Sequence, residues 1–506
     1  MSLLAAERPH GAHDVPSFPA MPSIHQASRS TGYLLAAILL GLVGTPCLLS
    51  HEESVHPLAS IPEEPPSTTA TTPTPSAEPA HPDAVRLSPS DRAIERWSRR
   101  TESSPQDSQA WVNLGNALMQ RSREQTAGGL LARAEAAFER ALTIESNRVE
   151  ALVGLAWVHN TEHEFDAGTR YARQALAADP RNQDAYALLG DAAVEWGDYD
   201  EARDHYQKAL DLAPNLASYS RAAHLLWLTG DTRRAKWLMQ KAIAAGGPHA
   251  ENTAWCRAEL GLMLFNEGAL LPAEQELEAA LAAAPRNAHV LAAMGRVRAA
   301  RGDLPGAIDL YARAIEVAPQ HTSLAAMADL CTLIGDEEKA AQAFQRVLDY
   351  HANHAHEPDS HHGHEPNAGQ DDVHGDAELA RFLADHDRDL PRALAEAEAA
   401  WLRFKNVGVT AILAWCQHKN GRHEEARRTI QKALRWGTPD PGLFYRAGLI
   451  LAAAGDKPGG QKLLYRALSL NPYFDPLQAR LAAARLKELA AELAAQHTKL
   501  TVSASP

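Results

Sequence analysis

The 506 residues carry 49 Lys+Arg against 63 Asp+Glu, a net charge of −14, with 45 % hydrophobic but only 6 % aromatic residues. Abundant Ala and Leu and scarce β-branched residues argue for helices over sheets. The acidic balance argues against a nucleic-acid partner, which calls for a basic face. The four cysteines, Cys47, Cys256, Cys331 and Cys416, include no C-x-x-C pair, which speaks against a zinc ribbon or redox motif.

Residues 1–30 form a polar leader. Thr31 to Ser50 then carry no charge, and their centre, YLLAAILLGLVG, is strongly apolar; a run of ~20 such residues is the length that spans a bilayer. Arg29 precedes it and Glu52 and Glu53 follow. By the positive-inside rule the N-terminus stays in the cytoplasm and the rest is exported. Two readings stand for 31–50: an uncleaved anchor holding the membrane through residues 33–49, or a cleaved signal peptide, with translation from Met1 or Met21. Pro46 before Cys47 speaks against a lipoprotein. Residues 51–89, rich in Pro, Thr, Ser and Glu, have little apolar surface to bury and read as a disordered tether.

Beyond the tether the chain repeats itself every 33 or 34 residues, apart from 38 before Ala273 and the jump across the His-rich run. In Asp184 to Asn215, Tyr186, Leu189 and Gly190 share one helical face, Gly197 and Asp198 suit a helix end followed by a cap, and Ala202, Tyr206 and Ala209 face back from a second helix ended by Pro214. The position of Ala202 recurs as a small residue at Ala134, Gly168, Ala235, Ala273, Ala307, Ala340, Ala393, Ala426 and Gly460. The turn glycine recurs at Gly129, Gly230, Gly268, Gly302, Gly335, Gly421 and Gly455. This spacing resembles the tetratricopeptide repeat (TPR), a helix-turn-helix family, and the resemblance implies an all-α TPR solenoid, a right-handed superhelix of about ten repeats.

The expected divisions are a first block at 90–350 (a half repeat with Ala93, Trp97 and Pro105 in phase, then seven repeats), a His-rich loop at 351–375, a second block of three repeats at 376–474, a capping helix at 475–495 and a disordered tail at 496–506. Two irregularities stand out. The first repeat carries extra residues around QRSREQTAGG, and the eighth has Arg388 where the turn glycine belongs.

The resemblance implies a scaffold whose concave surface, lined by the first helix of each repeat, holds a peptide or helix of a partner protein. Its lining positions fall at Asn116, Trp157, Asp191, His224, Trp227, Phe265, Arg296, Asp329 and Trp415. The Lys/Asn/Arg clamp with which some members hold chaperone tails is not matched, because Val112 stands where the lysine belongs. No phosphate loop, G-x-S-x-G elbow or H-E-x-x-H motif is present, so a non-enzymatic role is expected. The pair His159 and His163 in HNTEH lies near a repeat turn and reads as surface.

The run from His351 to His374, HANHAHEPDSHHGHEPNAGQDDVH, contains seven histidines: His351, His354, His356, His361, His362, His364 and His374. Its prolines and glycines make it a surface loop. It can serve as a spacer between movable blocks, as a weak site for Zn, Ni or Cu, or as a pH-sensitive loop. No cofactor is required by anything else in the chain. The composite expectation is an exported, membrane-tethered scaffold, periplasmic in a Gram-negative cell. The alternative is a metal-handling accessory protein docked by its repeats to a transporter or metalloenzyme.

Overall fold

A computed structural model describes residues 88–124, 129–247, 249–354 and 376–503. The leader, the apolar segment 31–50, the tether through residue 87, and His356, His361, His362, His364 and His374 lie outside the described residues. Among the described residues every regular element is a helix, 22 in all, and no helix is long and apolar enough to cross a membrane.

The helices alternate as the period of 34 requires. α1 (Pro89–Ser103) is the lone second helix of the half repeat. The first helices of the ten repeats are α2 (Ser108–Glu124), α4 (Val149–Thr161), α6 (Gln183–Trp196), α8 (Leu216–Leu228), α10 (Ala250–Asn266), α12 (Ala288–Ala300), α14 (His321–Ile334), α16 (Ala377–Asp385), α18 (Val407–Lys419) and α20 (Pro441–Ala453). Each packs on the helix that follows it, and most pack on the first helix of the next repeat, forming an inner layer. The second helices, such as α7 (Tyr199–Leu212) and α15 (Glu337–His354), form the outer one. Gly190 shows why the repeat needs its glycine: a Cβ there would sit 2.3 Å from the Tyr206 ring, which fills the space between α6 and α7.

The turns follow the Gly-Asp pattern. Gly197 adopts φ +76, and Asp198 accepts from the Glu201 amide at 3.1 Å to cap α7. Where the glycine is missing, other residues take the left-handed conformation: His163 (φ 61) in the second repeat, and Asp387 (φ 52) and Asp389 (φ 35) flanking Arg388 in the eighth.

Two boundaries differ from expectation. α15 continues through His354, so the His-rich run begins inside a helix. His351 in its last turn is buried and bonds Asp376, the cap of α16, so both ends of the insertion are clipped together. α22 (Gln478–Ser503) extends past 495, where a disordered tail was expected. Nor does the His-rich run divide the stack into movable blocks: α16 packs against α14, and His386 Nε2 lies 2.8 Å from Asp329 Oδ1 across that junction. The stack is continuous through the insertion.

The superhelix also meets itself. Asn406 Nδ2 donates to Glu195 Oε2 at 2.7 Å, the Val407 amide donates to the Tyr199 hydroxyl at 2.9 Å, and Asn471 Nδ2 donates to the Phe265 carbonyl at 2.7 Å. Thr438 bonds the Leu228 carbonyl. These partners are 206–211 residues apart. The links that close the eighth, ninth and tenth repeats thus lie along the turns of the third, fourth and fifth. Trp436 stacks obliquely on Tyr199 at 4.7 Å and Phe404 meets Phe165 edge-on at 5.7 Å. Asn471 and Thr438 are fully buried, so their hydrogen bonds satisfy groups that water cannot reach.

The contact is close enough to demand glycine. A Cβ on Gly230 (φ +85) would sit 2.6 Å from the Gly437 carbonyl oxygen, whereas one on Gly335 (φ +78) would meet nothing within 4 Å. Gly335→Ala should therefore cost only the left-handed penalty of about 1–2 kcal/mol. Gly230→Ala should cost about 1–3 kcal/mol more, the usual range for overpacking, and should enlarge the radius of gyration. Urea denaturation with small-angle scattering checks both; equal costs would mean that the turns do not touch in solution.

Candidate binding cavity

Closure of the superhelix leaves a central cavity of about 640 Å³. Its walls come mainly from the first helices, because each presents one face inward at spacings of three, four and seven residues. Trp157, His224, Trp227, Arg296 and Asp329 all line it. Asn116, Asp191, Phe265 and Trp415 are outside the lining. Asn116 is half-buried on α2. Asp191 is 1 % exposed, ion-paired with Arg221 at 2.8 Å and accepting from the Tyr206 hydroxyl at 2.8 Å. Phe265 is buried beneath the Arg296 guanidinium at 4.7 Å. Trp415 is buried against His418, with ring centroids 5.2 Å apart.

The walls carry more than the family positions suggest. Arg123, Glu195, Tyr199, Glu251, Trp255, His321, Glu378, Arg381 and Arg446 also face the cavity. Some were within reach of the pattern: Arg123 lies seven residues after Asn116, and His289 seven before Arg296, on the same helical faces. Glu378, Arg381 and Asp385 belong to α16, the short first helix of the irregular eighth repeat. Glu195 lies four residues after Asp191 on the same face of α6, whereas its bond to Asn406 across the seam has no local signal.

The lining contains eight carboxylates against four arginines. Several carboxylates have partners: Asp385 pairs with Arg446 at 2.9 Å and Asp329 with His386 at 2.8 Å. Glu195 has only neutral Asn406, and burial pushes its carboxyl up to about 8. Burial likewise raises Glu251 to about 7 and Asp440 to about 6, and lowers His224 to about 4. Some buried polar atoms of the lining have no hydrogen-bond partner: Trp157 Nε1, Trp227 Nε1, Arg123 Nε, Glu251 Oε2 and His321 Nε2. Arg123 lies over the Trp157 ring at 4.8 Å.

Of the histidine run, His351 is tied into the fold: its Nδ1 bonds Asp376, and its Nε2 lies 2.5 Å from His321 Nδ1. His354 closes α15, and the other five fall outside the described residues. Within HNTEH, Glu162 is exposed as expected but His159 is not. His159 is 5 % exposed, with Nδ1 2.7 Å from Glu164 and Nε2 3.6 Å from Glu135. Burial disfavours its protonation, but the Glu164 hydrogen bond and surrounding carboxylates outweigh this and raise its pKa. His159, Glu162 and Glu164 offer ligand atoms within 4.8 Å of one another, a donor set that suits a divalent metal.

Two family models described as tetratricopeptide repeat match the chain, one at residues 184–216 and the other at 82–147 and 272–322. A curated relative, the chloroplastic PsbB mRNA maturation factor Mbb1 of Chlamydomonas reinhardtii, is 38 % identical over 81 residues, 15 % of this chain and 12 % of that protein. Among solved structures, yeast Tom70 is similar at 14 % identity over 79 % of this chain and 92 % of its own (TM-score 0.35). The human IFIT1 dimer with PPP-AAAA is similar at 16 % identity over 75 % and 87 % (TM-score 0.40).

Glu195 makes the seam sensitive to pH. Its folded value of about 8 stands above its ordinary 4.5. Between the two the native chain keeps a proton that the unfolded chain has lost, so stability falls as pH rises, by up to about 1.4 kcal/mol per pH unit for one proton. The loss is complete above the folded value. Glu195→Gln keeps an acceptor for Asn406 and removes the proton. Urea denaturation from pH 5 to 9 should show a flatter decline for the variant, with the remaining slope set by Glu251, Asp440, Asp184, His159 and His386 and opposed at the acid end by the buried His224, His321 and His418. Identical slopes would mean that Glu195 is ionised in the fold.

Proposed function

Starting from a chain that belongs to the tetratricopeptide-repeat family, we propose that it is a non-enzymatic scaffold holding a segment of a partner protein inside its superhelix. The observation that carries this reading is the cavity itself: the inner helices bring Trp157, Trp227, His224, Arg296 and Asp329 to one concave surface. Trp and Arg are the residues that most often anchor interfaces. A protein partner is favoured over nucleic acid by the net charge of −14 and by a lining in which carboxylates outnumber arginines two to one.

The guest is an extended segment rather than a helix. A helix about 10–12 Å across fills roughly 400–600 Å³ per turn, so about 640 Å³ holds little more than one turn of it. The cavity is of the size that takes compact ligands or a few residues of extended chain.

Export and tethering belong to the same proposal. The uncharged run Thr31–Ser50, preceded by Arg29 and followed by acidic residues and a Pro/Thr-rich stretch, suits an anchor that presents the repeats on the far side of the membrane.

Trp157 and Trp227 are buried, so replacing them with Ala risks unfolding. Arg381 is half-buried and faces the cavity, and its charge holds down the carboxyls of Glu378 and Asp385 on the same helix, so Arg381→Glu should lower the melting temperature through like-charge repulsion while removing no core side chain. Affinity purification of a C-terminally tagged chain from solubilised host membranes, with and without chelator, should retain a protein partner that Arg381→Glu loses. A partner lost with chelator alone would favour the metal-handling alternative. In a separate arm, the intact chain should stay with the membrane fraction after alkaline carbonate, and deletion of residues 31–50 should release it; an intact chain found soluble would remove the tether.

A further inference from the structure

The turn between the two helices of the second repeat departs from its counterparts at three positions together. In five other repeats a left-handed glycine closes the first helix and the aspartate after it caps the second: Asp198, Asp231, Asp303, Asp336 and Asp456 each accept from the amide three residues on, at 2.9–3.1 Å. Here His163 (φ 61) stands for the glycine and Glu164 for the aspartate. The backbone of the turn is kept: the Glu164 amide donates to the His159 carbonyl at 2.8 Å, as the Asp198 amide does to the Ala193 carbonyl at 2.9 Å. The Glu164 side chain, however, does not cap α5 (Phe165–Ala178). It turns back to His159, which stands where Ala193 does, and its Oε2 lies 2.7 Å from the imidazole Nδ1.

The imidazole is held in place from behind. Its Nε2 lies 3.6 Å from Oε1 of Glu135, a buried residue of α3 (Leu130–Ile144), and its ring stacks on Tyr171 with centroids 5.3 Å apart. A carboxylate at one ring nitrogen keeps the proton there and turns the lone pair of the other nitrogen forward, the arrangement found behind metal-bound histidines. In front stand Glu164 and Glu162, and with His159 they offer three ligand atoms within 4.8 Å of one another. Glu162 is exposed and Glu164 half-exposed, so an ion reaches them without any opening of the fold. One imidazole and two carboxylates leave a fourth position for water, a donor set that zinc accepts. Two ligands of a tetrahedral zinc stand about 3.3 Å apart, so Glu164 has only to draw back by about 0.6 Å from its present 2.7 Å.

We propose that His159, Glu162 and Glu164 bind one zinc ion, with Glu135 as the positioning residue behind the imidazole. The ion does the work of the two devices this turn lacks, the glycine and the side-chain cap: it ties the last turn of α4 to the residue that opens α5. Through Glu135 it also fixes both to the outer helix of the first repeat. The site is separate from the cavity. Trp157 lines the cavity, whereas His159, two residues on, turns to α3 and α5. It is separate from the histidine run as well, so it stands whichever reading of that run holds.

The test uses the full chain in detergent, stripped of metal, with His354, His356, His361, His362, His364 and His374 replaced by Asn so that the run does not compete. Calorimetric titration with zinc chloride at neutral pH should find a site for one ion per chain. Glu135→Gln keeps the shape of the side chain and should weaken that site roughly 10- to 100-fold, the usual cost of losing a carboxylate behind a metal-bound histidine. Glu164→Gln and Glu162→Gln, at side chains that reach solvent, should weaken it at least as much and leave the melting temperature of the metal-free chain unchanged. Amide exchange from His163 to Phe165 should slow on adding zinc to the parent and not to Glu164→Gln. Zinc bound equally by the parent and Glu164→Gln, or no zinc bound at all, would overturn the proposal. His159 would then be only a protonated partner of the glutamates, the part Arg298 plays against Glu274 at 3.2 Å in the equivalent place between the fifth and sixth repeats.

Discussion

A solenoid of stacked helix pairs ordinarily touches only its neighbours, so its stability is a sum of local terms and its groove is open along one side. Here the deciding constraint is the contact of the superhelix with itself, one turn on. Three turn glycines carry it: a Cβ on Gly197, Gly230 or Gly268 would fall 2.4–2.7 Å from the carbonyl of Lys405, Gly437 or Leu470. At Gly302, Gly335, Gly421 and Gly455 the same turn leaves open space. One residue type thus does two jobs. It closes a helix everywhere, and at three places it also lets two backbones meet. Buried Asn471 and Thr438 then give the meeting a register, since each has a single backbone carbonyl to reach on the far side.

Closure also explains the electrostatics. An open groove would leave Glu195 in water with an ordinary pKa. Pressed beneath Asn406, with Asp191 on the same helix, it keeps its proton instead. Glu251, Asp440 and His224 shift for the same reason, each toward its neutral form. The lining therefore carries less charge than its eight carboxylates suggest, and charge would return to it on contact with a cationic group or on opening to water.

What could be read in the sequence follows from the range of each interaction. The pairing of Gly190 with Tyr206, the Gly-Asp turns and the Asn and Asp caps lie within one repeat, so a period of 34 exposes them. Trp157 and Trp227 were found because they occupy a fixed position on an inner helix. Asp191 occupies that position too, but Arg221 of the next repeat turns it into a buried ion pair, and no single repeat contains that information. The seam is the extreme case: its partners are 206–211 residues apart, and neither side departs from the repeat pattern in a way that marks it. The His-rich run misled for a related reason. Its composition reads as a break, whereas its first residue, His351, is a core residue bonded to Asp376 at the other end of the insertion.

The seam and the size of the guest are one problem. A guest too wide for the cavity enters only by pushing the turns apart, which breaks the Asn406–Glu195, Thr438–Leu228 and Asn471–Phe265 bonds together. Each such bond is worth about 0.5–1.5 kcal/mol when made, and a buried group left unpaired costs about 1–3 kcal/mol. A helix would have to offset all of these at once. If the cavity holds a partner segment as proposed, the closed seam therefore sets the width of that segment before any of its side chains is read.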